Sequence, residues 1–261
     1  MTTQTATNKT SKSTKTTRAP QGAFAWFELR TPNAQKSAAF YAEVVGWKTE
    51  TMSIGPMTTT LFSNGHKTVA HMDACEGASS FVSYVAVDDV DAAAKRVSAA
   101  GGKLHGAPVD IPTVGRMLEV EDPDGAHFFL YKAEGDGEGQ PKAPGGFHWN
   151  ELWARNEKKA IAFLTSVLGY SVKESPMPDF MYHVLLRGET ELAGVMPAFD
   201  KSAPSSWVPY IHVTDTVAAQ ARALKLGARP LGEVMTVPNV GTMAVMVDPL
   251  GACFAVMTPA T

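Results

Sequence analysis

The chain has 261 residues, 44% of them hydrophobic, with 26 acidic and 23 basic side chains and a net charge of −3. That length suits one large or two small domains, the charge leaves no electrostatic footprint for nucleic acid, and no apolar run approaches the roughly 20 residues of a membrane span. Two cysteines, Cys75 and Cys253, are too few for a disulfide framework and suit a reducing, cytoplasmic setting.

Residues 1–20 are rich in Thr, Ser and Lys, hold no acidic residue, and read as a disordered tail. A strand follows, with Phe24, Trp26, Glu28 and Arg30 on one face and Ala25, Phe27 and Leu29 on the other. Asn33 caps a helix whose Phe40, Tyr41, Val44 and Val45 form an apolar stripe, and Gly46 stops it. Extended segments at 58–62 and 68–72 flank a turn at Asn64-Gly65. The plan then repeats. Residues 81–87 make a strand, Asp88 or Asp89 caps a helix carrying Val90, Ala93, Ala94 and Val97, and Gly101-Gly102 ends it. Strands at 116–120 and 127–131 are joined by the tight turn Asp122-Pro123-Asp124-Gly125. The Gly-, Pro- and charge-rich stretch 134–145 reads as a linker.

Beyond it the sequence begins again. Residues 22–47 recur at 145–170, pairing Phe24 with Phe147, Trp26 with Trp149, Glu28 with Glu151 and Gly46 with Gly169. Residues 80–128 recur at 206–254, pairing Tyr84 with Tyr210, Gly115 with Gly241 and Asp122-Pro123 with Asp248-Pro249. A duplicated domain follows: domain 1 over 21–133 and domain 2 over 146–261, each of a size that can bury its own core. The unit is strand-helix-strand-strand-strand, used four times. The fold class is α+β, two tandem domains of paired βαβββ units, each pair curling into a cup-shaped sheet.

This order of elements resembles the vicinal oxygen chelate superfamily, which takes in glyoxalases, bleomycin-resistance proteins and extradiol dioxygenases. The residues that carry the resemblance are Trp26-Phe27-Glu28-Leu29, Ala39-Phe40-Tyr41 and Val45-Gly46-Trp47, then Val87-Asp88-Asp89-Val90, Gly115-Arg116 and the 122–125 turn. Copy two adds Ala162-Phe163-Leu164, Val167-Leu168-Gly169-Tyr170 and Asp248-Pro249-Leu250-Gly251. The match is to the tandem-domain, metal-poor branch. Enzymes of the superfamily hold a divalent metal in the cup, with His or Glu from the first strand of each half and a Glu on the last strand, as a Lewis acid. Carried over, those positions fall on Trp26, Val82 and Phe129 in copy one and on Trp149, Val208 and Ala255 in copy two. None is a metal ligand, and His183 would stand alone, so no metal and no cofactor is expected.

The candidate catalytic residues are Glu28, His127, Glu151 and His212. The candidate ligand-binding residues are Trp26, Tyr84, Phe129, Trp149, Tyr182 and Tyr210. Trp26 and Trp149 make either an aromatic floor for a flat ligand or a core filling. Glu28 and Glu151 are either a base or cation site, or structural acceptors of hydrogen bonds. The histidines differ between the copies. His127 and His212 should share the inward face with Glu28 and Glu151, as proton relays or as packed side chains. Phosphate loops, nucleophile elbows, His-Glu-x-x-His and Cys-x-x-Cys are absent. The expected function is binding or transformation of a small aromatic or oxygenated molecule without the usual metal. The alternatives are a metal-dependent lyase or dioxygenase with displaced ligands, and a non-catalytic binding or interaction protein. Two fused domains supply the pairing that single domains reach by dimerising, so the chain is expected to be a monomer or weak homodimer, with no nucleic-acid or membrane partner.

Overall fold

The computed structural model describes residues 19–54, 57–135 and 139–260. The expected disordered tail lies, over 1–18, outside the described residues. Copy one runs β1 (Phe24–Thr31), α1 (Ala34–Val45), β2 (Lys48–Ile54), β3 (Met57–Ser63), β4 (Thr68–Ala74), β5 (Ser80–Ala86), α2 (Val90–Ala99), β6 (Lys103–Leu104), β7 (Val109–Ile111), β8 (Gly115–Glu121) and β9 (His127–Ala133). Copy two runs β10 (Phe147–Ala154), α3 (Glu157–Leu168), β11 (Ser171–Pro176), β12 (Met181–Arg187), β13 (Thr190–Pro197), β14 (Ser206–His212), α4 (Thr216–Lys225), β15 (Arg229–Pro230), β16 (Met235–Val237), β17 (Gly241–Val247) and β18 (Cys253–Pro259). This is the α+β architecture of two tandem sheets. No helix among the described residues is long and apolar enough to cross a membrane.

Local chemistry sets the helix ends. The Asn33 side chain accepts from the Lys36 N–H, and Asp89 does the same for Ala92. Gly46 closes α1 at φ 78°, a left-handed conformation that costs glycine nothing. The second half-unit departs from the expected three strands after its helix. At His105-Gly106-Ala107-Pro108 the edge strand splits into β6 and β7, both pairing with β8, and copy two splits in the same way at Leu231-Gly232-Glu233-Val234.

The first sheet has the order β2-β3-β4-β1-β5-β9-β8-β6, and the second repeats it as β11-β12-β13-β10-β14-β18-β17-β15. In each, the two half-units meet at an antiparallel seam, β1 with β5 and β10 with β14. Seen from the side chains, each sheet has a helix-covered face and a cup face. The helix-covered faces of the two copies pack on each other. Phe27 stacks on Phe147 with ring centroids 3.7 Å apart, and Asn150 Nδ2 donates to Ser83 Oγ at 2.9 Å.

The two large apolar cores are therefore built from both copies. One joins Val85, Val97 and Phe128 to Leu152, Phe163 and Leu185, and the other joins Phe27, Tyr41 and Phe62 to Ile211, Ala223 and Phe254. The helices follow suit, α1 packing with α4 and α2 with α3. Arg222 of α4 donates to the Glu43 and Val44 carbonyls at the end of α1, and Arg96 of α2 donates to the Val167 carbonyl at the end of α3. A cation on the last carbonyls suits the negative end of a helix. The linker is tied down as well. Gln140 donates to the Ala25 and Val69 carbonyls, and the Trp47 indole donates to the Gly145 carbonyl.

Candidate functional site

The alternation of β1 places Trp26, Glu28 and Arg30 on the cup face of copy one. Two neighbours complete the arrangement. β4 runs parallel to β1 with His71 beside Glu28 and Asp73 beside Arg30, and β5 sets Tyr84 opposite Trp26. Trp26 Nε1 donates to His71 Nδ1 at 2.7 Å, and Tyr84 Oη donates to Glu28 Oε2 at 2.8 Å. Arg30 sits between two carboxylates. Its Nε reaches Glu28 Oε1 at 2.7 Å, and its Nη1 and Nη2 reach the two oxygens of Glu119 at 2.9 and 3.1 Å. Phe129 lies under the guanidinium, 5.7 Å from ring centroid to Cζ, and stacks on Tyr84 at 4.2 Å.

These contacts set the charge states. The His71 imidazole, with Nε2 3.6 Å away, holds the Asp73 carboxyl below its usual range. Burial pushes the Glu119 carboxyl up, but the hydrogen bonds and charges of His127 and Arg30 outweigh it and bring it to about 2. Burial, followed by the Glu28 charge, pushes the Tyr84 phenol up, so it remains a donor.

Copy two keeps the glutamate and changes everything around it. Glu151 accepts from Tyr182 at 2.8 Å on one oxygen, and from Tyr210 at 2.8 Å and Trp153 Nε1 at 2.9 Å on the other. Trp149 Nε1 donates to Tyr182 Oη at 3.0 Å, as Trp26 does to His71. Burial raises the Glu151 carboxyl, and its three uncharged donors offset this only in part. The strand positions of Arg30, His71, Asp73, Glu119, Glu121 and His127 hold Trp153, Gly194, Met196, Val245, Val247 and Cys253. Trp153, Met196, Val208, Tyr210, Met243, Ala255 and Met257 pack together and fill this cup.

Trp26, Glu28, Tyr84 and Phe129 thus meet in one cup, and Trp149, Glu151, Tyr182 and Tyr210 in the other. The two histidines go elsewhere. His127 faces Glu119 at 3.1 Å and Glu121 at 3.6 Å rather than Glu28. His212 is set against His148, ring centroids 5.8 Å apart, and its Nδ1 is buried with no hydrogen-bond partner among the described residues. A backbone irregularity between Phe147 and Trp149 brings His148 to that position. His71, Asp73, Glu119, Glu121, His105 and Trp153 were missed. Period-2 alternation along β4 and β8 was the available signal, but it does not say which strands are neighbours.

The expectation that the chain holds no metal-ligand set is overturned. His105, Glu121 and His127 bring one ligand atom each within 4.8 Å of one another, and so do Glu28, His71 and Asp73. The ligand atoms come from strand neighbours that are far apart in sequence. The two sets differ in fit. Trp26 N–H points at His71 Nδ1, so Nδ1 carries the lone pair and the neutral ring keeps its proton on Nε2, facing the carboxylates. An ion at Nε2 would have to displace that proton while the indole still claims Nδ1. The Glu28 set is wired for hydrogen bonding.

A cavity of about 310 Å³ opens beside Trp26, the one residue of the cup described above that lines it. Tyr131, Ala25 and Ala86 wall it, with Gln21 and Gln140 from the entering chain and the linker. This is within the range of small-molecule sites, roughly 300–1,000 Å³.

Comparison with known proteins agrees with this geometry. Residues 23–129 match the family "Glyoxalase/Bleomycin resistance protein/Dioxygenase superfamily". The chain is 31% identical over 250 residues to "Putative glyoxylase CFP32" of Mycobacterium tuberculosis (strain CDC 1551 / Oshkosh), covering 92% of this chain and 96% of that protein. It is 31% identical over 264 residues to the anthracycline biosynthesis protein DnrV of Streptomyces peucetius, covering 92% and 94%. Among solved structures, the Mn(II)-bound glyoxalase from Novosphingobium aromaticivorans aligns at a TM-score of 0.66 and 19% identity, over 92% of this chain and 83% of that one. The 2,3-dioxygenase LapB from Pseudomonas sp. KL28 aligns at 0.66 and 14%, over 93% and 94%.

Proposed function

Because the chain belongs to the glyoxalase/bleomycin resistance protein/dioxygenase superfamily, we propose that the cup of copy one is its working site, where a small aromatic or oxygenated molecule binds and a proton is moved on it. The observation that carries this reading is the asymmetry of the cups. Copy one keeps ionisable groups and an adjoining cavity, whereas copy two fills the same space with Trp, Met and Ala.

The chemistry follows from two constraints. Trp26 forces the neutral His71 ring to carry its proton on Nε2, which lies 4.0 Å from Glu28 and 3.6 Å from Asp73. A ligand oxygen placed there receives a hydrogen bond from an uncharged imidazole, which polarises a carbonyl without protonating it. Glu28, fixed by Arg30 and Tyr84, retains lone pairs and serves as the proton acceptor. Trp26 supplies the flat apolar face. One donor and one acceptor on the same side of a bound carbonyl compound suit proton transfer next to that carbonyl, a lyase or isomerase reaction.

The test is binding and turnover with a panel of catechols, α-keto aldehydes and their thiol hemithioacetals. Trp26→Leu should weaken binding tenfold or more, and His71→Gln should cut turnover while leaving binding within a few-fold. Met196→Leu in copy two should change neither. Saturable binding untouched by Trp26→Leu and lost with Met196→Leu would move the site to the other cup and end this reading.

A further inference from the structure

We propose that His105, Glu121 and His127 form a divalent transition-metal site on the rim of the copy one cup, apart from the positions at which the superfamily holds its metal. His127 and Glu121 face each other across β8 and β9, and His105, just past β6, is anchored by its own N–H on the Glu119 carbonyl at 2.9 Å. Two strands and the segment after β6 thus deliver three donors to one point.

The spacing fits an ion. Glu121 Oε2 lies 3.1 Å from His105 Nε2 and 3.6 Å from His127 Nε2. Neighbouring ligands of a tetrahedral ion with bonds of about 2.0–2.1 Å stand roughly 3.3 Å apart. The ring orientation fits as well. Glu119 can only accept, so His127 Nδ1, 3.1 Å away, carries the proton and the neutral ring turns its lone pair outward at Nε2. A carboxylate on the far nitrogen of a histidine is the usual support of a metal ligand. Arg30 fixes Glu119 in turn by both oxygens.

Lys103 takes Glu121 Oε1 at 2.7 Å, which leaves Oε2 for the ion. Two imidazoles and one carboxylate favour zinc, cobalt or nickel over magnesium or calcium. Both histidines are solvent-exposed, which leaves room for water or a ligand oxygen as a further donor. Copy two has Leu231, Val247 and Cys253 at these positions and no counterpart.

The test uses untagged full-length protein, stripped by chelation and titrated with Co²⁺ and separately with Zn²⁺. The expected result is one saturating equivalent with the visible d–d absorption of nitrogen-ligated cobalt. Affinity should fall at least tenfold in His105→Ala and in His127→Ala, and should hold in His71→Ala. Circular dichroism checks that the variants fold. No saturating equivalent, or uptake indifferent to both rim substitutions, overturns the proposal. Loss on His71→Ala alone does the same, by placing the ion in the Glu28 set. Small-molecule binding at Trp26 is measured without metal, so the two proposals fail separately.

Discussion

Trp153 donates its indole N–H to Glu151 at 2.9 Å from the strand position at which Arg30 holds Glu28 in copy one. At this position a neutral donor stands in for a cation, one of six ionisable positions of copy one that copy two replaces. Glu151 is left as a buried carboxylate with hydrogen bonds but no cation among them. Burial raises its pKa in the folded state, so the folded chain holds that proton more tightly than the unfolded chain. Stability is therefore greatest below the unfolded carboxylate range and is lost as pH rises through the folded value. Glu151→Gln, with its carbonyl toward Trp153 and Tyr210, should raise Tm at pH 8, and the gain should vanish near pH 4. Thermal melts across that range check the sign. A variant less stable than the wild type at pH 8 would refute it.

Arg30 in copy one has the opposite role. Arg30→Met leaves Glu28, 4% exposed, with Tyr84 as its remaining close donor. Breaking a buried pair by removing one partner costs about 3–5 kcal/mol, and the partial exposure of Arg30 reduces this to about 2 kcal/mol. The double variant Arg30→Met/Glu28→Gln should recover part of the loss. Urea unfolding of the four-member cycle measures that coupling, and simple additivity would count against the clamp.

Gly194 marks where copy two made space. Its equivalent in copy one is His71, and a Cβ at 194 would overlap the Tyr182 hydroxyl that does the work of the His71 ring. Gly194→Ala should displace Tyr182 and cost about 1–3 kcal/mol by overpacking. It should also shift tryptophan emission as the Trp149–Tyr182 bond breaks. The same stability and an unshifted spectrum would show that the ring has slack.

Tyr41 reaches across the copies to donate to Asp248 Oδ2 at 3.0 Å. The corresponding residues of the other pair are Leu164, which has no hydroxyl, and Asp122, whose Oδ2 is buried with no partner among the described residues. Tyr41→Phe should leave Asp248 in the same state and cost about 1–3 kcal/mol. Because both cores mix the copies, unfolding should remain one transition when monitored in either half. Two separated transitions would mean that the halves are energetically independent.

Much of the fold was legible in local chemistry. The Asn33 and Asp89 caps, the Gly46 stop and the Asp122-Pro123-Asp124-Gly125 turn each act within four or five residues, so the chain states them directly. The duplication gave the order of units, and alternation put Trp26, Glu28 and Tyr84 on one face. His71 could not be found this way. It meets Glu28 because β4 returns parallel to β1, a pairing made by chain more than 40 residues downstream. His105 and His127 lie 22 residues apart, and Glu121 links them only through the β6–β8–β9 order. That also hid the metal-ligand set.

The sequence by itself determined the duplicated βαβββ units, their caps and turns, and which side chains alternate toward a cup. These follow from backbone preferences and short-range hydrogen bonds. The tertiary structure alone decided that the two large cores are shared between copies. It also decided that the cup of copy one is charged while that of copy two is packed, and that the histidines meet carboxylates other than those beside them in sequence. The reason is physical. Strand neighbours and back-to-back packing are chosen by burial of the whole apolar surface, and that free energy belongs to no single segment.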